Sequence, residues 1–305
     1  MSRTKPSPWN GLVLVDKEPG WTSHDVVAKA RGVLGTRKVG HAGTLDPPAT
    51  GLLLVGVGTM TRLLRYLTAL PKTYVGEVVL GSETDTLDDT GVVTATHDMA
   101  GVTLADVRRA AEDLTGDILQ VPPMVSAVKV DGRRLHELAR EGKEVERVAR
   151  PVTIHAFRVD EPVADGVFPV EVTCSSGTYI RTLAADLGAA LGGGAHLRNL
   201  RRTSAGSFRV EDAHRIGEVD PERDVIPPAQ ALCDLPTVVV DVPTAVDVGH
   251  GKPLHRSQLG IPEEHPGPWA VEAQDGVLLA VYVPHREGTI KPEVVLAKVD
   301  EVRPG

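Results

Sequence analysis

A proline-stiffened loop with a single carboxylate is the stretch of this sequence best suited to chemistry. It reads Gly40-His41-Ala42-Gly43-Thr44-Leu45-Asp46-Pro47-Pro48-Ala49-Thr50-Gly51. The two prolines fix φ and remove backbone donors, so the segment cannot form a helix. The glycines near its start permit left-handed backbone or a close approach to a ligand. Asp46 is therefore held in one position, which suits a catalytic carboxylate and equally suits a structural turn.

Apolar runs on both sides of this loop predict the elements that hold it. Residues 52–57 follow at once and have the pattern of a buried strand, and residues 12–15 predict a shorter strand. Ser23 is predicted to cap a helix whose apolar face ends before Gly35. A rigid polar loop is thus expected to be anchored to the core.

The rest of the pattern predicts an α+β body followed by a β-rich tail. Further strands are predicted at 73–80, 152–159, 168–174, 197–202 and 207–210, and helices at 59–70, 103–114, 133–140 and 179–191. A proline-rich, irregular stretch at 220–236 precedes four short strands at 237–240, 269–271, 277–283 and 294–299. We therefore predict two domains, residues 1–235 and residues 236–305.

The composition predicts an ordinary globular protein of the cytoplasm. No apolar run reaches the roughly 18 residues of a membrane span, and the first ten residues lack the apolar core of a secretory signal. The two cysteines are too few for a disulfide framework and fit a reducing compartment. The formal net charge of −8 argues against general nucleic-acid binding unless a local basic patch supplies the contacts.

Common catalytic machinery is missing from the sequence. There is no phosphate-binding loop, no dinucleotide fingerprint and no nucleophile elbow. The eleven histidines are scattered, and with two distant cysteines they give no metal-ligand spacing. We therefore predict neither a cofactor nor a metal ion.

What remains is a set of motifs centred on Asp46. They are Val15-Asp16-Lys17-Glu18-Pro19-Gly20, Lys72-Thr73-Tyr74, Val121-Pro122-Pro123, Arg150-Pro151-Val152, Gly177-Thr178-Tyr179-Ile180-Arg181 and Leu200-Arg201-Arg202-Thr203. Together with the 40–51 loop, and in this order and spacing, they resemble the signature of the bacterial tRNA pseudouridine-55 synthase family. The resemblance covers about residues 10–235, and the tail is similar to the PUA-like RNA-binding appendage of that family.

The resemblance implies a fold, a reaction and a partner. The fold is the pseudouridine-synthase fold, a mixed and largely antiparallel central sheet flanked by helices, with a small C-terminal β-rich PUA-like domain. The reaction isomerises the T-loop uridine of tRNA, after the base has been flipped out of its stack, and needs neither redox chemistry nor phosphate energy. The partner is the T-arm of tRNA, with no membrane and no obligate protein partner, and a monomer is the default expectation.

The resemblance also assigns roles to seven residues. Asp46 matches the catalytic aspartate, Arg181 the arginine that pairs with it, and Tyr74 the tyrosine that stacks on the base near C5. The residues that match substrate-binding positions are His41, Tyr179, Leu200 and Lys17; the family's lysine at the position of Lys17 supports the active-site loop, and an RNA contact is its alternative role. Six arginines are candidates for phosphate contacts that the net charge hides: Arg133, Arg134, Arg140, Arg198, Arg201 and Arg202.

Several alternatives stay open at this point. The carboxylate of Asp46 can add to uracil C6, attack the ribose or deprotonate it. A non-catalytic RNA-binding protein on the same scaffold predicts tRNA affinity without isomerisation. A hydrolase acting on free nucleosides through an Asp nucleophile predicts a small closed pocket and no need of an RNA-binding tail.

Overall fold

The computed structural model describes residues 8–126, 129–130, 133–134, 141 and 145–296. The strands are β1 (Gly11–Lys17), β2 (Val39–Ala42), β3 (Thr50–Val57), β4 (Lys72–Leu80), β5 (Ser82–Thr84), β6 (Val93–Thr96), β7 (Gly116–Gln120), β8 (Lys129–Val130), β9 (Arg133–Arg134), β10 (Arg150–Val159), β11 (Val167–Cys174), β12 (Ala195–Ala205), β13 (Phe208–Arg209), β14 (Thr237–Val240), β15 (Leu254–His255), β16 (Trp269–Ala273), β17 (Leu278–Pro284) and β18 (Thr289–Val295). The α-helices are α1 (Ser23–Val33), α2 (Leu64–Ala69), α3 (Leu104–Asp113), α4 (Ile180–Ala190), α5 (Pro221–Asp224), α6 (Pro228–Ala231) and α7 (Val242–Gly249). Short 3-10 turns occupy Gly58–Arg62, Val210–Asp212 and Arg256–Leu259.

A nine-stranded sheet forms the centre of the body, in the order β1-β3-β12-β4-β11-β10-β7, with β2 added to β3 and β13 added to β12. Every pairing in it is antiparallel except that of β12 with β3. This parallel step sets Arg202 beside Gly51, at the end of the 40–51 loop. The predicted mixed, largely antiparallel sheet is therefore confirmed.

Strands β1 and β3 are buried on both faces, which explains their unbroken apolar runs. Val13 and Leu53 face α1 and join one apolar cluster, whereas Leu12 and Leu52 face α2 and join another. A strand with only one buried face alternates apolar and polar residues, but a strand covered on both faces does not. The 40–51 loop is thus attached directly to the most deeply buried strand pair.

The N-cap of α1 lies one residue earlier in the chain than predicted. Thr22 is the N-cap and forms a capping box with Asp25, while Ser23 is the first helical residue and is buried. The pattern Thr-x-x-Asp is present in the sequence and predicts this cap directly. Helix α3 begins in the same way, with Thr103 as its N-cap and Asp106 as the second member of a capping box.

Three other element predictions differ from the structure. The helix predicted at 59–70 is split into a 3-10 turn and the short helix α2. The basic helix predicted at 133–140 begins instead with strand β9, and residues 135–140 lie outside the described residues. The tail contains helix α7 in addition to its strands, because Asp241 caps a segment whose Pro lies in the first helical turn.

The tail strands form a separate five-stranded sheet, in the order β14-β16-β17-β18-β15. One face of this sheet packs against the body, because Ala270, Leu278 and Val281 belong to the same apolar cluster as Leu12 and Leu52. The predicted domain boundary between residues 235 and 236 stays a prediction. In the part of the chain that the structure describes, no helix is long and apolar enough to cross a membrane, and no group of three or more His, Cys, Asp or Glu side chains could hold a metal ion.

The close approach of β12 to Gly51 makes a stability prediction. Gly51 has φ of +98°, and a Cβ there would lie 2.2 Å from the carbonyl oxygen of Arg202. Gly35 also has a positive φ, of +59°, but open space surrounds its Cβ position. We expect Gly51→Ala to lower the free energy of unfolding by more than about 3 kcal/mol and Gly35→Ala by only about 1 kcal/mol. Equal losses for the two variants in denaturant titrations would contradict this packing.

Candidate active site

The loop that carries Asp46 is held from beneath by a buried lysine. Lys17, only 1% exposed, donates from Nζ to the carbonyl oxygens of Trp21 at 2.7 Å, Glu18 at 3.0 Å and Pro47 at 3.1 Å. Burial lowers the pKa of this ammonium to about 8, although the Asp46 carboxylate nearby opposes the shift. All three donors of Lys17 are used to fix backbone directly behind the carboxylate.

Two further contacts fix the loop from α1 and from the turn that follows β1. The hydroxyl of Ser23 accepts from the N–H of Leu45 at 2.9 Å and donates to the same residue's carbonyl oxygen at 3.1 Å. The N–H of Gly20 donates to the carbonyl of Pro47 at 2.9 Å. The residues on both sides of Asp46 are thus bonded, which leaves the carboxylate little freedom to move.

Arg202 fixes the other end of the loop. Its guanidinium donates to the carbonyl oxygens of Leu52 at 2.6 Å and Gly43 at 3.0 Å, and the side chain is 1% exposed. Gly43 has φ of +82°, and a Cβ there would lie 3.3 Å from Nη1 of Arg202. A side chain at position 43 would therefore strain the backbone and press on the arginine.

Asp46 forms an ion pair with Arg181 at the first turn of α4. Oδ2 of Asp46 lies 2.8 Å from Nη2 of Arg181; the carboxylate is 39% exposed, whereas the arginine side chain is 5% exposed. The carboxylate is thus open to a ligand on one side and paired with a buried cation on the other. The close cation orients the carboxylate.

The guanidinium of Arg181 is held by three other groups. It donates to the carbonyl oxygens of Thr86 at 2.7 Å and Val125 at 2.8 Å, and Nη1 lies 3.6 Å from Oδ2 of Asp88. Asp88 is itself fixed, because its Oδ1 accepts from the backbone and hydroxyl of Thr90. Arg181 is therefore preorganised rather than positioned by Asp46 alone.

A cleft of about 270 Å³ opens in front of this ion pair. Its wall brings together Asp46, Tyr74, Arg181, Tyr179 and Leu200, which are five of the seven residues that the sequence singles out. The wall also includes Lys72 and Arg202, which are not among those seven residues. Motifs far apart in the chain thus meet around one aspartate.

The side walls of the cleft come from β4 and β12. Asn199 has φ of +55°, and one extra residue is accommodated in β12 between Arg198 and Arg201. This bulge turns Leu200 toward the cleft. Burial raises the pKa of the Tyr74 hydroxyl, and Arg202, whose Cζ lies 6.0 Å from the ring centroid, opposes the shift through its charge.

Tyr179 immediately precedes α4, and its backbone is clamped by Gln120 at the end of β7. The side-chain oxygen of Gln120 accepts from the Tyr179 N–H at 2.7 Å, and its amide nitrogen donates to the Tyr179 carbonyl at 3.0 Å. The amide is buried, so both bonds are shielded from water. The clamp sets the direction of the turn that carries Arg181. The sequence signal that could have identified Gln120 is its position directly before the Val121-Pro122-Pro123 motif.

The clamp predicts an effect on both stability and rate. Gln120→Met keeps the side-chain volume but leaves the N–H of Tyr179 unpaired and its carbonyl with only the Leu183 N–H at 3.0 Å, so we expect the free energy of unfolding to fall by about 1–3 kcal/mol. Gln120→Glu keeps one acceptor and loses the donor, and should have an intermediate effect. Denaturant titrations measure the loss, and the single-turnover rate should fall in the same order. Full stability in Gln120→Met would show that the clamp is unimportant.

The other two predicted substrate-binding residues lie away from the cleft wall. Lys17 is buried under the loop, where its ammonium donates to three backbone carbonyls; its role, loop support or an RNA contact, stays a prediction. His41 lies on β2 and is half-buried. Burial is the main cause that lowers the pKa of its imidazole, and the positive charges of His24 and Arg202 lower it further. Its Nδ1 is buried without a hydrogen-bond partner among the described residues. A substrate contact of His41 stays a prediction.

The predicted phosphate contacts of the basic residues are corrected in part. Arg202 is buried in the core, so it cannot reach a phosphate at the surface. Arg201 forms a bidentate pair with Asp16 at 2.8 and 2.9 Å, and Arg198 pairs with Glu77. Arg133 is exposed and pairs with Glu141. The side chain of Arg134 and the whole of Arg140 lie outside the part of the chain that the structure describes.

The mixed sheet with its C-terminal β domain is the fold of the pseudouridine synthases. Residues 31–180 match the sequence profile of the TruB family pseudouridylate synthase N-terminal domain, and residues 181–223 match the tRNA pseudouridylate synthase B C-terminal domain. The chain belongs to the TruB family of tRNA pseudouridine synthases. The family resemblance and the fold class predicted from the sequence are therefore confirmed.

Individual relatives extend this similarity over nearly the whole chain. The tRNA pseudouridine synthase B of Thermobifida fusca is 48% identical over 94% of this chain and 99% of its own length. The protein of the same name from Streptomyces griseus is 46% identical over 94% of this chain and 97% of its own length. Among solved structures, a chain of a Cbf5-Nop10-Gar1 complex superposes with a TM-score of 0.74 at 26% identity, covering 96% of this chain and 86% of that one.

Proposed function

We propose that this chain isomerises the T-loop uridine of tRNA to pseudouridine, with Asp46 as the nucleophile and the target base flipped into the cleft. The observation that carries the proposal is the pair of Asp46 and Arg181 at the cleft, with one face of the carboxylate open. Breaking the N1–C1′ bond, turning the uracil and rejoining it through C5 needs no external reductant or phosphate donor. A fixed, ionised carboxylate is the reagent that this rearrangement requires.

Asp46 is suited to the nucleophilic role by its fixation and its charge. The loop bonds of Lys17 and Ser23 hold its neighbours, and Arg181 holds the carboxylate itself. The open side of the carboxylate is compatible with addition to uracil C6, with attack on the ribose and with its deprotonation. Asp46 is a nucleophile in the first two routes and a base in the third, and all three begin at its carboxylate.

The cleft walls suit a flat, uncharged ring. Tyr74 offers an aromatic face, and Leu200 and Tyr179 close the remaining sides. A base that leaves its stack in a folded RNA loses a few kcal/mol, and enclosure between apolar and aromatic side chains offsets that loss. We assign Tyr74 to stacking and to the position where C5 loses its proton, and Leu200 and Tyr179 to holding the ring.

Two residues act on the site from outside the cleft. Lys17 is assigned to positioning the Asp46 loop rather than to binding RNA, because its three donors are occupied by carbonyls. His41 is assigned to the surface that meets the T-loop, where a ring can occupy the stacking space that the flipped base leaves.

We also expect the chain to act as a monomer in the cytoplasm, and the β-rich tail from residue 236 to contribute to tRNA binding.

The proposal is tested with the wild-type chain and unmodified tRNA. We expect a single new pseudouridine in the T-loop, mapped by chemical modification and primer extension. A tRNA with cytidine at that position is the matched control and should gain none. Normal tRNA affinity without isomerisation would identify a non-catalytic RNA-binding protein. Turnover of free uridine as fast as tRNA would identify a nucleoside-directed enzyme instead.

A further inference from the structure

Two buried cations in the cleft wall have no carboxylate to balance them. Lys72 is 5% exposed and Arg202 is 1% exposed, and both line the cleft. The other charged groups of that wall, Asp46 and Arg181, are paired with each other, and Arg181 also approaches Asp88. Within the described residues, neither Lys72 nor Arg202 forms an ion pair. The cleft therefore carries an excess of positive charge.

Neutral carbonyl groups hold both cations in place. Nζ of Lys72 donates to the carbonyl oxygens of Thr68 at 2.6 Å and Leu70 at 2.5 Å, at the end of α2, and Arg202 donates to those of Leu52 and Gly43. Carbonyl dipoles orient a cation but leave its charge uncancelled. Buried charges without counterions are costly, and proteins retain them mainly where a ligand or a reaction supplies the opposite charge.

The two cations meet at the point where the catalytic loop has no side chain. A Cβ on Gly43 would lie 3.3 Å from Nη1 of Arg202 and 3.6 Å from Cε of Lys72. Because Gly43 has no side chain, only its backbone lies between these cations and the cleft at this point. Because both side chains are almost fully buried, a phosphate on the RNA backbone outside the cleft cannot reach them, but a ring inside it can come close.

We propose that Lys72 and Arg202 stabilise the negative charge that develops on the uracil ring during the reaction. The inference rests on the proposed function. When Asp46 bonds to C1′, the N1–C1′ bond breaks and its electron pair moves to N1, shared with O2 and O4. Addition of Asp46 to C6 instead moves a pair onto C5 and O4, and loss of a ribose proton also expels the uracil as an anion.

The charge is transient in every route. C5 later bonds to C1′, the carboxylate is released from any bond it has formed, C5 loses its proton and N1 gains one; in the route through loss of a ribose proton, the carboxylate also returns that proton to the sugar. The product is therefore an isomer of the substrate. Groups that stabilise this anion act on the chemical step and not on binding of the neutral base. Preorganised donors of this kind are worth on the order of 10²–10³ in rate.

The first test separates charge from structure at position 72. Lys72→Met removes the cation, Lys72→Arg keeps it, and Lys29→Met on the exposed face of α1 is the control. At saturating enzyme we expect Lys72→Met to slow single-turnover isomerisation by on the order of 10²-fold, with tRNA affinity unchanged. Lys72→Arg should recover most of that loss. Thermal unfolding of each variant verifies that the compared proteins are folded.

Three outcomes would overturn the proposal. An unchanged single-turnover rate in Lys72→Met excludes an electrostatic role. Equal losses in Lys72→Met and Lys72→Arg indicate a packing role. A loss confined to tRNA affinity indicates a phosphate contact. All rates are compared with that of the wild-type chain. If the wild-type chain itself converts no uridine, the proposed function is wrong, and this result is different from the three outcomes above.

A pH profile provides an independent readout of the same cation. Burial, reinforced by the charge of Arg202 on β12, lowers the pKa of Lys72 to about 8, and the weak opposing group is Cys174 on β11, whose own pKa burial raises to about 11. Tyr74 is the titratable group nearest along β4, and α2 contributes only carbonyls.

Lys72 is charged below pH 8 and neutral above it, so kcat/KM should fall as the pH rises through about 8. Lys72→Arg stays charged and should reduce this decline. Lys17 has a similar pKa of about 8, so the part of the decline that Lys72→Arg removes is the part assigned to Lys72. Lys29→Arg, on the exposed face of α1, is the control and should keep the whole decline. A decline that is unchanged in Lys72→Arg would overturn the assignment.

Discussion

Asp46→Asn is expected to abolish pseudouridine formation while tRNA binding is retained. Asparagine has the same shape and can still accept a hydrogen bond from Arg181, but its amide is not a nucleophile. Removal of a nucleophile typically lowers the rate by at least about 10⁴-fold. Single-turnover isomerisation of tRNA measures the loss, and a filter-binding titration measures the affinity.

A matched control for this variant is Asp113→Asn, on the exposed face of α3. It changes the net charge by the same amount and should leave the rate unaltered. Retention of even about a tenth of the wild-type rate in Asp46→Asn would exclude the nucleophile assignment. Loss of tRNA affinity in place of rate would make Asp46 a binding residue.

Arg181→Met is expected to have the next largest effect. It leaves Asp46 and Asp88 without their shared cation and two backbone carbonyls without their donor. Breaking a buried pair costs about 3–5 kcal/mol, which corresponds to a rate loss on the order of 10²–10³ if it is realised in the transition state. The same single-turnover assay measures it.

Two further variants sharpen the Arg181 prediction. Arg181→Lys keeps the charge but not the planar set of donors, so it should recover only part of the rate. Arg158→Met removes an exposed arginine 3.4 Å from Glu171 and should change neither rate nor stability, because surface pairs contribute little. If Arg181→Lys were fully active, the charge alone would suffice and the contacts to Thr86 and Val125 would be dispensable.

The sequence predicts those parts of the fold that depend on local pattern. The run at 52–57 is found as β3, and the Thr103 capping box is found at α3, because burial on both faces and cap chemistry are visible within a few residues. The five residues in the cleft wall are assigned through motifs and not through spacing, since Asp46 and Arg181 are 135 positions apart by their numbers.

Two supports of the site could not be predicted in the same way. Gln120 and Arg202 look like surface residues in the sequence, because long polar side chains are usually solvated. Their burial follows from contacts with carbonyls 59 and 159 positions away, respectively. Such partners are known only once the sheet is assembled. The same reason explains why Ser23 was expected to cap α1 although its hydroxyl binds Leu45.

The parallel pairing of β12 with β3 determines when a newly synthesised chain acquires its chemistry. The aspartate loop emerges early from the ribosome, but Arg202, which pins it through Leu52, follows 150 residues later. Closing so large a loop is entropically unfavourable until the intervening strands have paired. A nascent chain shorter than β12 therefore carries Asp46 without a cleft around it. Catalytic competence arises in one late step, after most of the body has been translated.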